Sequence, residues 1–240
     1  MNILLTRPLI DSENLMREML TLGHKIIHLP TLQIVGLNLS TFNLNKYTSL
    51  IFTSANSVRN LKNTGNKSLI KCYCVGSITE KIARSYGFTN TTSASGTVLA
   101  LKNLILNSIS NKSKESLAYI CGDQTSSDLD IDLKREGFNV EKIINYKSEK
   151  ITNINEANVK LIKNYPPDLI FVYSLRSAES FTDIIHNYSL APMMTQSNVM
   201  CISNKIKNYF LNLGWKNIST FDPGNEIFEI GKKNERFRKF

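Results

Sequence analysis

Residues 50–57 read Leu-Ile-Phe-Thr-Ser-Ala-Asn-Ser, and residues 169–177 read Leu-Ile-Phe-Val-Tyr-Ser-Leu-Arg-Ser. The two stretches match once one residue is inserted into the first. Each begins with an apolar run typical of a buried strand, places a hydroxyl where that strand ends, and continues with a helical pattern. We therefore predict a strand–turn–helix unit that occurs twice in the chain.

Two further pairs extend this duplication. Residues 74–79 followed by Gly87-Phe88 match residues 201–206 followed by Gly214-Trp215, with a separation of 127 positions at both ends. Ile3–Ile34 matches Ala118–Ile151, because each reads strand, polar turn, helix, glycine at the helix end and then a long strand. The chain thus reads a-b-a′-b′, which predicts two lobes of similar fold.

Apolar runs alternate with helical patterns along the whole chain, which is typical of an α/β fold with parallel sheets. The predicted strands are Ile3–Thr6, Lys25–Leu29, Leu50–Thr53, Lys71–Val75, Leu117–Cys121, Val140–Ile144, Leu169–Val172, Val199–Ile202 and Ile218–Phe221. The two repeats join near residues 107–114, an Asn/Ser/Lys-rich stretch predicted to be a loop. The residues alone would therefore divide the chain near position 110.

Composition narrows the class of protein. With 240 residues the chain can bury one large core or two small ones. It contains no apolar run long enough to cross a membrane, and its first residues are too short an apolar run for a signal peptide. We therefore expect a monomeric cytoplasmic protein without a membrane partner. The four cysteines lie in strand-like runs and are predicted to be core thiols: Cys72, Cys74, Cys121 and Cys201.

The net charge of +9 could attract nucleic acid, anionic lipid or a polyanionic small molecule. It could equally reflect a composition rich in Lys, Asn and Ile, since basic residues are scattered and cluster only in residues 232–239. The aromatic-plus-basic pattern of nucleic-acid-binding surfaces is missing. We predict no nucleic-acid partner.

Motifs for cofactors and metals are also missing. The sequence has neither the glycine-rich dinucleotide loop nor the phosphate-binding P-loop. Asp128, Asp130 and Asp132 resemble the opening of a calcium loop, but Leu133 and Asn139 stand where that loop needs Gly and Glu. That segment is predicted to be a solvated helix face. We expect a site without metal or cofactor.

What remains is a set of hydroxyls, amides and glycines at the carboxyl ends of the predicted strands. They are Thr6-Arg7, Thr53-Ser54, Gly76 to Thr79, Gly122 to Gln124, Tyr173-Ser174 and Ser203-Asn204. Open α/β sheets bind ligands at those ends, where helix N-termini expose free N–H groups. Each Ser or Thr could instead simply cap a helix, but six such turns suit a ligand with many carboxylates.

These residues carry a family resemblance. The chain resembles uroporphyrinogen-III synthase from Ile3 to about Asp222. The stretches that match, in order, are residues 3–8, 52–58, 75–79, 137–146 and 202–206. The resemblance implies two flavodoxin-like lobes joined by a two-stranded connector. It assigns residues 1–35 and 151–240 to lobe one and residues 36–150 to lobe two.

The resemblance also implies a reaction. Hydroxymethylbilane, a linear tetrapyrrole with eight carboxylates, would lose its hydroxyl as water and close to uroporphyrinogen III in the cleft between the lobes. The last pyrrole ring is inverted through a spiro intermediate. Little side-chain chemistry is needed beyond assisting hydroxide departure, bringing the two ends together and protecting a reactive cation from water.

The resemblance also implies roles for individual residues, according to their positions in the family motifs. Tyr146 matches the tyrosine proposed as the acid, although it could instead be a structural residue at the strand end. The expected substrate-binding residues are Arg7, Ser54, Asn56, Gly76, Thr79, Gly122, Ser174 and Ser203. Asn56 stands where some relatives carry Arg, and Ile206 where many carry Thr. We expect Ser203 or Asn204 to replace the hydroxyl missing at 206. The main rival hypothesis is a non-enzymatic, two-lobed module that binds a small molecule.

Overall fold

A computed structural model of the chain describes residues 1–40, 42–61, 65 and 67–237. Its strands are β1 (Asn2–Leu5), β2 (Lys25–His28), β3 (Leu32–Gly36), β4 (Ser49–Phe52), β5 (Lys71–Cys74), β6 (Thr91–Ser93), β7 (Ser116–Gly122), β8 (Asn139–Lys150), β9 (Leu169–Val172), β10 (Asn198–Cys201) and β11 (Ile218–Thr220). Its helices are α1 (Leu9–Thr21), α2 (Ala55–Arg59), α3 (Ser77–Ser85), α4 (Val98–Ser108), α5 (Leu129–Arg135), α6 (Glu156–Asn164), α7 (Leu175–Asn187), α8 (Ala191–Met194), α9 (Asn204–Asn212) and α10 (Glu226–Phe237).

The chain forms two compact units. Unit 1 comprises Met1–Gln33 and Glu149–Phe240, and unit 2 comprises Ile34–Ser148. The chain passes from one unit to the other within β3 and again within β8, and these two strands are neighbours in one sheet. Each unit has buried apolar clusters of its own.

Unit 1 is built on a five-stranded sheet. Its strands run in the order β2-β1-β9-β10-β11, and all neighbouring strands are parallel. Numbered along the unit, this is the order 2-1-3-4-5 of flavodoxin-like sheets. The central strands are apolar on both faces, as expected for a parallel sheet covered by helices: Ile3, Leu4, Leu5 and all of β9 are buried.

Unit 2 repeats this arrangement with a different starting point. Its sheet has the order β3-β8-β7-β4-β5-β6, and the pairs from β8 to β6 are parallel. If β7 and β8 are counted first, the part from β8 to β6 again reads 2-1-3-4-5. Unit 1 therefore combines the first and last quarters of the a-b-a′-b′ pattern, and unit 2 combines the two middle quarters.

The predicted α/β class with parallel sheets in two sets is confirmed. Most predicted strands agree with the structure within one or two residues, but β8 extends well beyond Val140–Ile144, and β3 and β6 were not predicted. The proposed division near residue 110 is wrong, because residues 107–114 lie inside unit 2 and include the end of α4.

The segment from Asp128 to Asp132 was predicted to be a solvated helix face, which is wrong for Asp130, whereas Asp128 is exposed. Asp130 is only 7% exposed, and its carboxylate lies 3.6 Å from Lys134 Nζ and 3.8 Å from Lys142 Nζ. A carboxylate that leaves water is stabilised by such nearby cations. This segment therefore ties the start of α5 to the neighbouring strand β8.

The four cysteines are buried and free, as predicted. Burial raises the pKa of the Cys121 thiol to about 11 and that of Cys74 to about 12, so both stay protonated at neutral pH. None of the helices in the described part of the chain has the length and apolar character needed to span a bilayer. Of the basic tail, residues 238–240 lie outside the described residues.

Candidate active site

Each sheet has a point where its connections reverse direction. In unit 1 this point lies between β1 and β9, and in unit 2 between β7 and β4. Helices on either side of such a point cover opposite faces of the sheet, which leaves a crevice at the carboxyl ends of the strands. Most of the predicted site residues follow or end a strand: Arg7, Ser174 and Ser203 in unit 1, and Ser54, Asn56, Gly76, Thr79 and Gly122 in unit 2. Tyr146 lies within β8, opposite the last residue of β7.

The reversal point of unit 1 brings a cation against a tyrosine. The guanidinium carbon of Arg7 lies 4.5 Å from the centre of the Tyr173 ring, a cation–π distance. The Tyr173 hydroxyl donates to Glu226 Oε1 at 3.1 Å, and Gly224 N–H donates to the other oxygen of Glu226 at 2.8 Å. Burial, followed by the charge of Glu226, raises the pKa of Tyr173. Tyr173 is therefore a neutral phenol that holds Arg7 in place.

A chain of buried hydroxyls fixes the start of α7. Thr6 Oγ1 donates to the Phe171 carbonyl at 2.8 Å, and Ser177 Oγ donates to Thr6 Oγ1 at 3.2 Å. Thr31 Oγ1 lies 2.6 Å from Ser177 Oγ. All three hydroxyl residues are at most 4% exposed. Of these three residues, only Thr6 was identified from the sequence. Ser177, which links Thr6 to Thr31, lies more than a hundred positions further along the sequence.

The three predicted serines all cap helices. Ser54 Oγ accepts from Asn56 N–H at 3.1 Å, and Ser174 Oγ accepts from Ser177 N–H at 3.0 Å. Ser203 Oγ accepts from the N–H of Ile206, which is the residue in the position of the missing threonine, at 3.5 Å. An accepting hydroxyl oxygen can still donate its own hydrogen. Capping and contact with a ligand carboxylate are thus compatible at each serine.

The carboxyl ends of β4 and β5 present an amide and a helix start. Asn56 Oδ1 accepts from Arg59 Nη1 at 2.9 Å. Gly76 precedes the first turn of α3, where N–H groups lack partners within the helix, and a Cβ at Gly76 would lie 3.3 Å from the Cα of Gly96. Thr79 is only 6% exposed. Main-chain N–H groups are therefore more accessible donors at this turn than the Thr79 hydroxyl.

Tyr146 lies against the last residue of β7. The β7–β8 register shifts so that Gly122 pairs with Tyr146, and Asp123 N–H donates to the Tyr146 carbonyl at 3.0 Å. A Cβ on Gly122 would lie 2.6 Å from two carbons of the Tyr146 ring and 2.9 Å from its hydroxyl oxygen. Tyr146 is 9% exposed. Only glycine at position 122 leaves room for this ring.

A second phenol stands beside this group. Tyr119, on β7, has its hydroxyl 3.2 Å from Thr53 Oγ1 at the end of β4. Burial raises its pKa to about 12. At neutral pH Tyr119 is therefore a neutral hydrogen-bonding group that joins the two strands on either side of the reversal point in unit 2.

Hydroxyls and main-chain N–H groups thus occur at the strand ends of both units, and Arg7 adds a cation in unit 1. Such groups bind anions, and a tyrosine hydroxyl among them can also donate a proton. In the described part of the chain, no three His, Cys, Asp or Glu side chains are grouped so that they could hold a metal ion.

Comparison with known proteins gives one family and one fold. A model of the family described as uroporphyrinogen-III synthase HemD matches residues 13–222. A search of curated proteins returned no match. Uroporphyrinogen-III synthetase from Helicobacter pylori is 17% identical, with a TM-score of 0.65 over 97% of this chain and 98% of that chain. A mutant uroporphyrinogen III synthase from Thermus thermophilus is 12% identical, with a TM-score of 0.56 over 100% of this chain and 99% of that chain.

Proposed function

The chain belongs to the uroporphyrinogen-III synthase family, and on this premise we propose that it converts hydroxymethylbilane into uroporphyrinogen III. It is a lyase of tetrapyrrole biosynthesis that needs no cofactor. The family match over residues 13–222 is the observation that carries this proposal. A non-enzymatic binding module is not favoured, because the matching family is one of synthases.

The proposed reaction breaks one C–O bond and closes the macrocycle. The hydroxyl of the substrate takes up a proton and leaves as water, and the remaining cation is attacked by the substituted carbon of the last pyrrole. The spiro intermediate then opens and recloses with that ring inverted, and the pyrrole carbon that forms the final bond loses its proton, which replaces the one that left with the water. The protein must assist departure of the hydroxyl, hold the two ends together and keep bulk water away.

We assign carboxylate binding to the strand ends. Arg7 supplies a cation held over Tyr173. The hydroxyls of Ser54, Ser174 and Ser203 keep a hydrogen to donate while they cap their helices. Asn56, Gly76, Thr79 and Gly122 belong to the same strand ends, where main-chain N–H groups and helix dipoles favour anions. Many modest contacts suit a ligand with eight carboxylates.

We assign the departure of the hydroxyl to Tyr146. Its ring is held against Gly122 at the end of β7, and a phenol can donate a proton to a leaving hydroxyl. The other possibility, that Tyr146 only packs the end of the strand, remains an outcome of the experiments below. We further propose that the protein acts as a cytoplasmic monomer, with residues 1–35 and 151–240 forming one functional lobe and residues 36–150 the other.

Isomer analysis tests the function directly. Dialysed, chelator-treated protein is mixed with freshly prepared hydroxymethylbilane, and the products are oxidised and separated into type I and type III isomers. We expect mainly type III. Heat-denatured protein gives the spontaneous ring closure, which yields type I. If the native protein also gives only type I, the proposed function is wrong.

A further inference from the structure

Arg176 has an unusual environment for a partly buried cation. It is the second residue of α7, two positions after the capping residue Ser174. Its Nε is shielded from solvent and has no hydrogen-bond partner, and the described residues offer its guanidinium no ion pair. The acid one turn further along, Glu179, is instead engaged by Lys150 at 3.0 Å.

This placement opposes the local electrostatics. The start of a helix carries the positive end of the helix dipole and favours acidic residues, yet the first turn of α7 has none. A guanidinium nitrogen that is removed from water without a partner also loses solvation. The described part of the chain supplies neither an ion pair for the guanidinium nor a hydrogen-bond partner for its Nε. Local conflicts of this kind are expected where a residue serves function rather than folding.

The position of Arg176 next to the sheet supports this interpretation. Strands β1 and β9, which flank the reversal point of unit 1, end next to each other, with Leu5 paired to Phe171. Arg7 follows the first strand and Arg176 follows the second. The hydroxyl chain through Ser177 fixes the start of α7, so the backbone at Arg176 is held in place before any ligand arrives.

The internal duplication provides a reference for the same position. Arg176 and Asn56 are each the second residue of a helix and each follows a capping serine by two positions. In unit 2 the Asn56 side chain is used internally, because it accepts from Arg59 one turn later. In unit 1 the equivalent side chain is a cation, and its neighbour one turn later is turned towards Lys150. Within the described residues, the chain therefore keeps an unpaired charge at only one of two equivalent positions.

We propose that Arg176 binds a carboxylate of the linear tetrapyrrole and, together with Arg7, selects highly carboxylated substrates at the strand ends of unit 1. This inference rests on the proposed function and adds to it a residue that determines specificity. A guanidinium suits the role because its planar array of donors matches both oxygens of a carboxylate. Bound substrate would also supply the missing partner for the side chain.

Kinetics of two substitutions test the proposal. Arg176→Gln is expected to raise KM for hydroxymethylbilane roughly 10- to 100-fold, the range for a lost hydrogen bond to a charged group, with kcat within about threefold of normal. Arg176→Lys keeps the charge without the planar donors and should recover part of the loss. Arg17→Gln is the matched control, because Arg17 lies in the same unit, is 73% exposed and pairs with Glu13.

Equilibrium binding provides a readout that does not depend on turnover. Fluorescence titration compares uroporphyrin III, with eight carboxylates, and coproporphyrin III, with four. Arg176→Gln should weaken binding of the first more than of the second, and Arg17→Gln should change neither. If native protein forms type III but Arg176→Gln keeps normal KM and affinities, the role of Arg176 is refuted and the function stands. If only type I forms, the proposed function is wrong. The proposed role of Arg176 in binding carboxylates is then supported if Arg176→Gln weakens uroporphyrin binding, and refuted if it does not.

Discussion

Tyr146 and Gly122 illustrate how a main-chain position can place the side chain that we propose as the acid. The space occupied by the phenol ring exists only because residue 122 has no Cβ, since that atom would come within 2.6 Å of the ring. Neither residue reveals this when considered alone. The placement comes from the register shift between β7 and β8, which sets the two residues opposite each other.

Replacing Tyr146 by Phe keeps the ring and removes only the hydroxyl. We expect turnover to fall more than tenfold, because general acid assistance typically contributes about 10²–10⁴-fold. Single-turnover kinetics measure the loss, and circular dichroism shows whether the fold is kept. Tyr47→Phe is the control, because it removes a phenol hydroxyl in the same unit that is bonded to Glu141. Near-normal turnover of Tyr146→Phe would leave Tyr146 a structural residue.

Gly122→Ala should act through the same tyrosine. The added Cβ forces the Tyr146 ring to move, so we expect lower turnover and a loss of stability of about 1–3 kcal/mol from overpacking. The decisive variant is the double substitution Gly122→Ala/Tyr146→Phe. If the alanine acts by displacing the hydroxyl, the double variant is no slower than Tyr146→Phe alone, because effects within one functional group are not additive. Fully additive losses would contradict this mechanism.

For individual residues, some positions could be predicted from the sequence and others could not. The capping serines were correctly located, because a hydroxyl between a strand and a helix is a local signal. Arg176 was missed, because its lack of a partner depends on Glu179 being turned towards Lys150, which no local pattern reveals. The buried position of Asp130 was missed for the same reason: Lys142, which lies 3.8 Å from it, is on another element.

Among the elements, the start of α7 combines the cap formed by Ser174 with the carboxylate contact that we propose for the same hydroxyl. Ser174→Ala removes both functions and Ser174→Gly removes mainly the donor, because Gly at this position costs only a few tenths of a kcal/mol whereas Ala costs about 1 kcal/mol. We expect both variants to lose affinity by a similar factor, roughly a few-fold to a hundredfold. Chemical denaturation should separate them in stability. If the affinity loss follows the stability loss instead, the serine is only a cap.

Helix α3 and strand β6 are joined by one carboxylate. Glu80 accepts from Ser93 at 2.5 Å, from Thr91 at 2.9 Å and from Arg84 at 2.8 Å. The hydrogen bond from Ser93, followed by that from Arg84, holds the pKa of Glu80 down to about 2. Because the folded state favours the ionised carboxyl, this contribution is complete above pH 4.5, the ordinary pKa, and is lost as the pH falls towards 2.

Glu80→Gln should therefore destabilise the protein at pH 7 and much less at the acid end of that window. We expect a loss of about 1–3 kcal/mol at neutral pH, as for other broken networks with one charged partner. Urea unfolding at a series of pH values measures it. Glu13→Gln, which removes an exposed i,i+4 pair with Arg17, is expected to have little effect at any pH. A pH-independent difference for Glu80→Gln would contradict this explanation.

Strand β6 and the second half of β8 were missed, because neither carries an apolar run. The sequence of β6 is Thr91-Thr92-Ser93, which packs beside β5 without an apolar stretch to reveal it. In the second half of β8, the residues after Tyr146 are all polar or charged, yet they continue a strand that lies next to β3. In both cases the neighbouring strand, rather than local composition, makes the segment a strand.

For the whole molecule, the repeat and the folding unit have different boundaries. The duplication favoured a cut near residue 110, where the second copy of the pattern begins. Each sheet instead combines one half from each copy, so residues 34–148 form one contiguous unit. A repeat pattern reports which segments are alike, whereas the pairing of β7 with β4 and of β1 with β9 decides which segments fold together.

The contiguous unit should fold without the rest of the chain. A fragment of residues 34–148 contains β4 to β7 whole, the greater part of β3 and β8, and the buried clusters of unit 2. We expect it to unfold cooperatively in urea, with dispersed amide resonances in an NMR spectrum. The fragment 149–240 is the contrast, because its sheet lacks β1 and β2 and it should remain partly unfolded. A non-cooperative transition for residues 34–148 would show that unit 2 needs unit 1.

The split composition of unit 1 also affects how the protein emerges from the ribosome. Strand β1 is made before its partner β9, which is translated more than 160 residues later. At about 5–20 residues per second the nascent amino terminus waits many seconds for that partner. During this interval Ile3, Leu4 and Leu5, all fully buried in the finished fold, can pair only with β2 and lack the rest of their sheet. The first few residues of the chain are therefore where we expect chaperones to bind while translation continues.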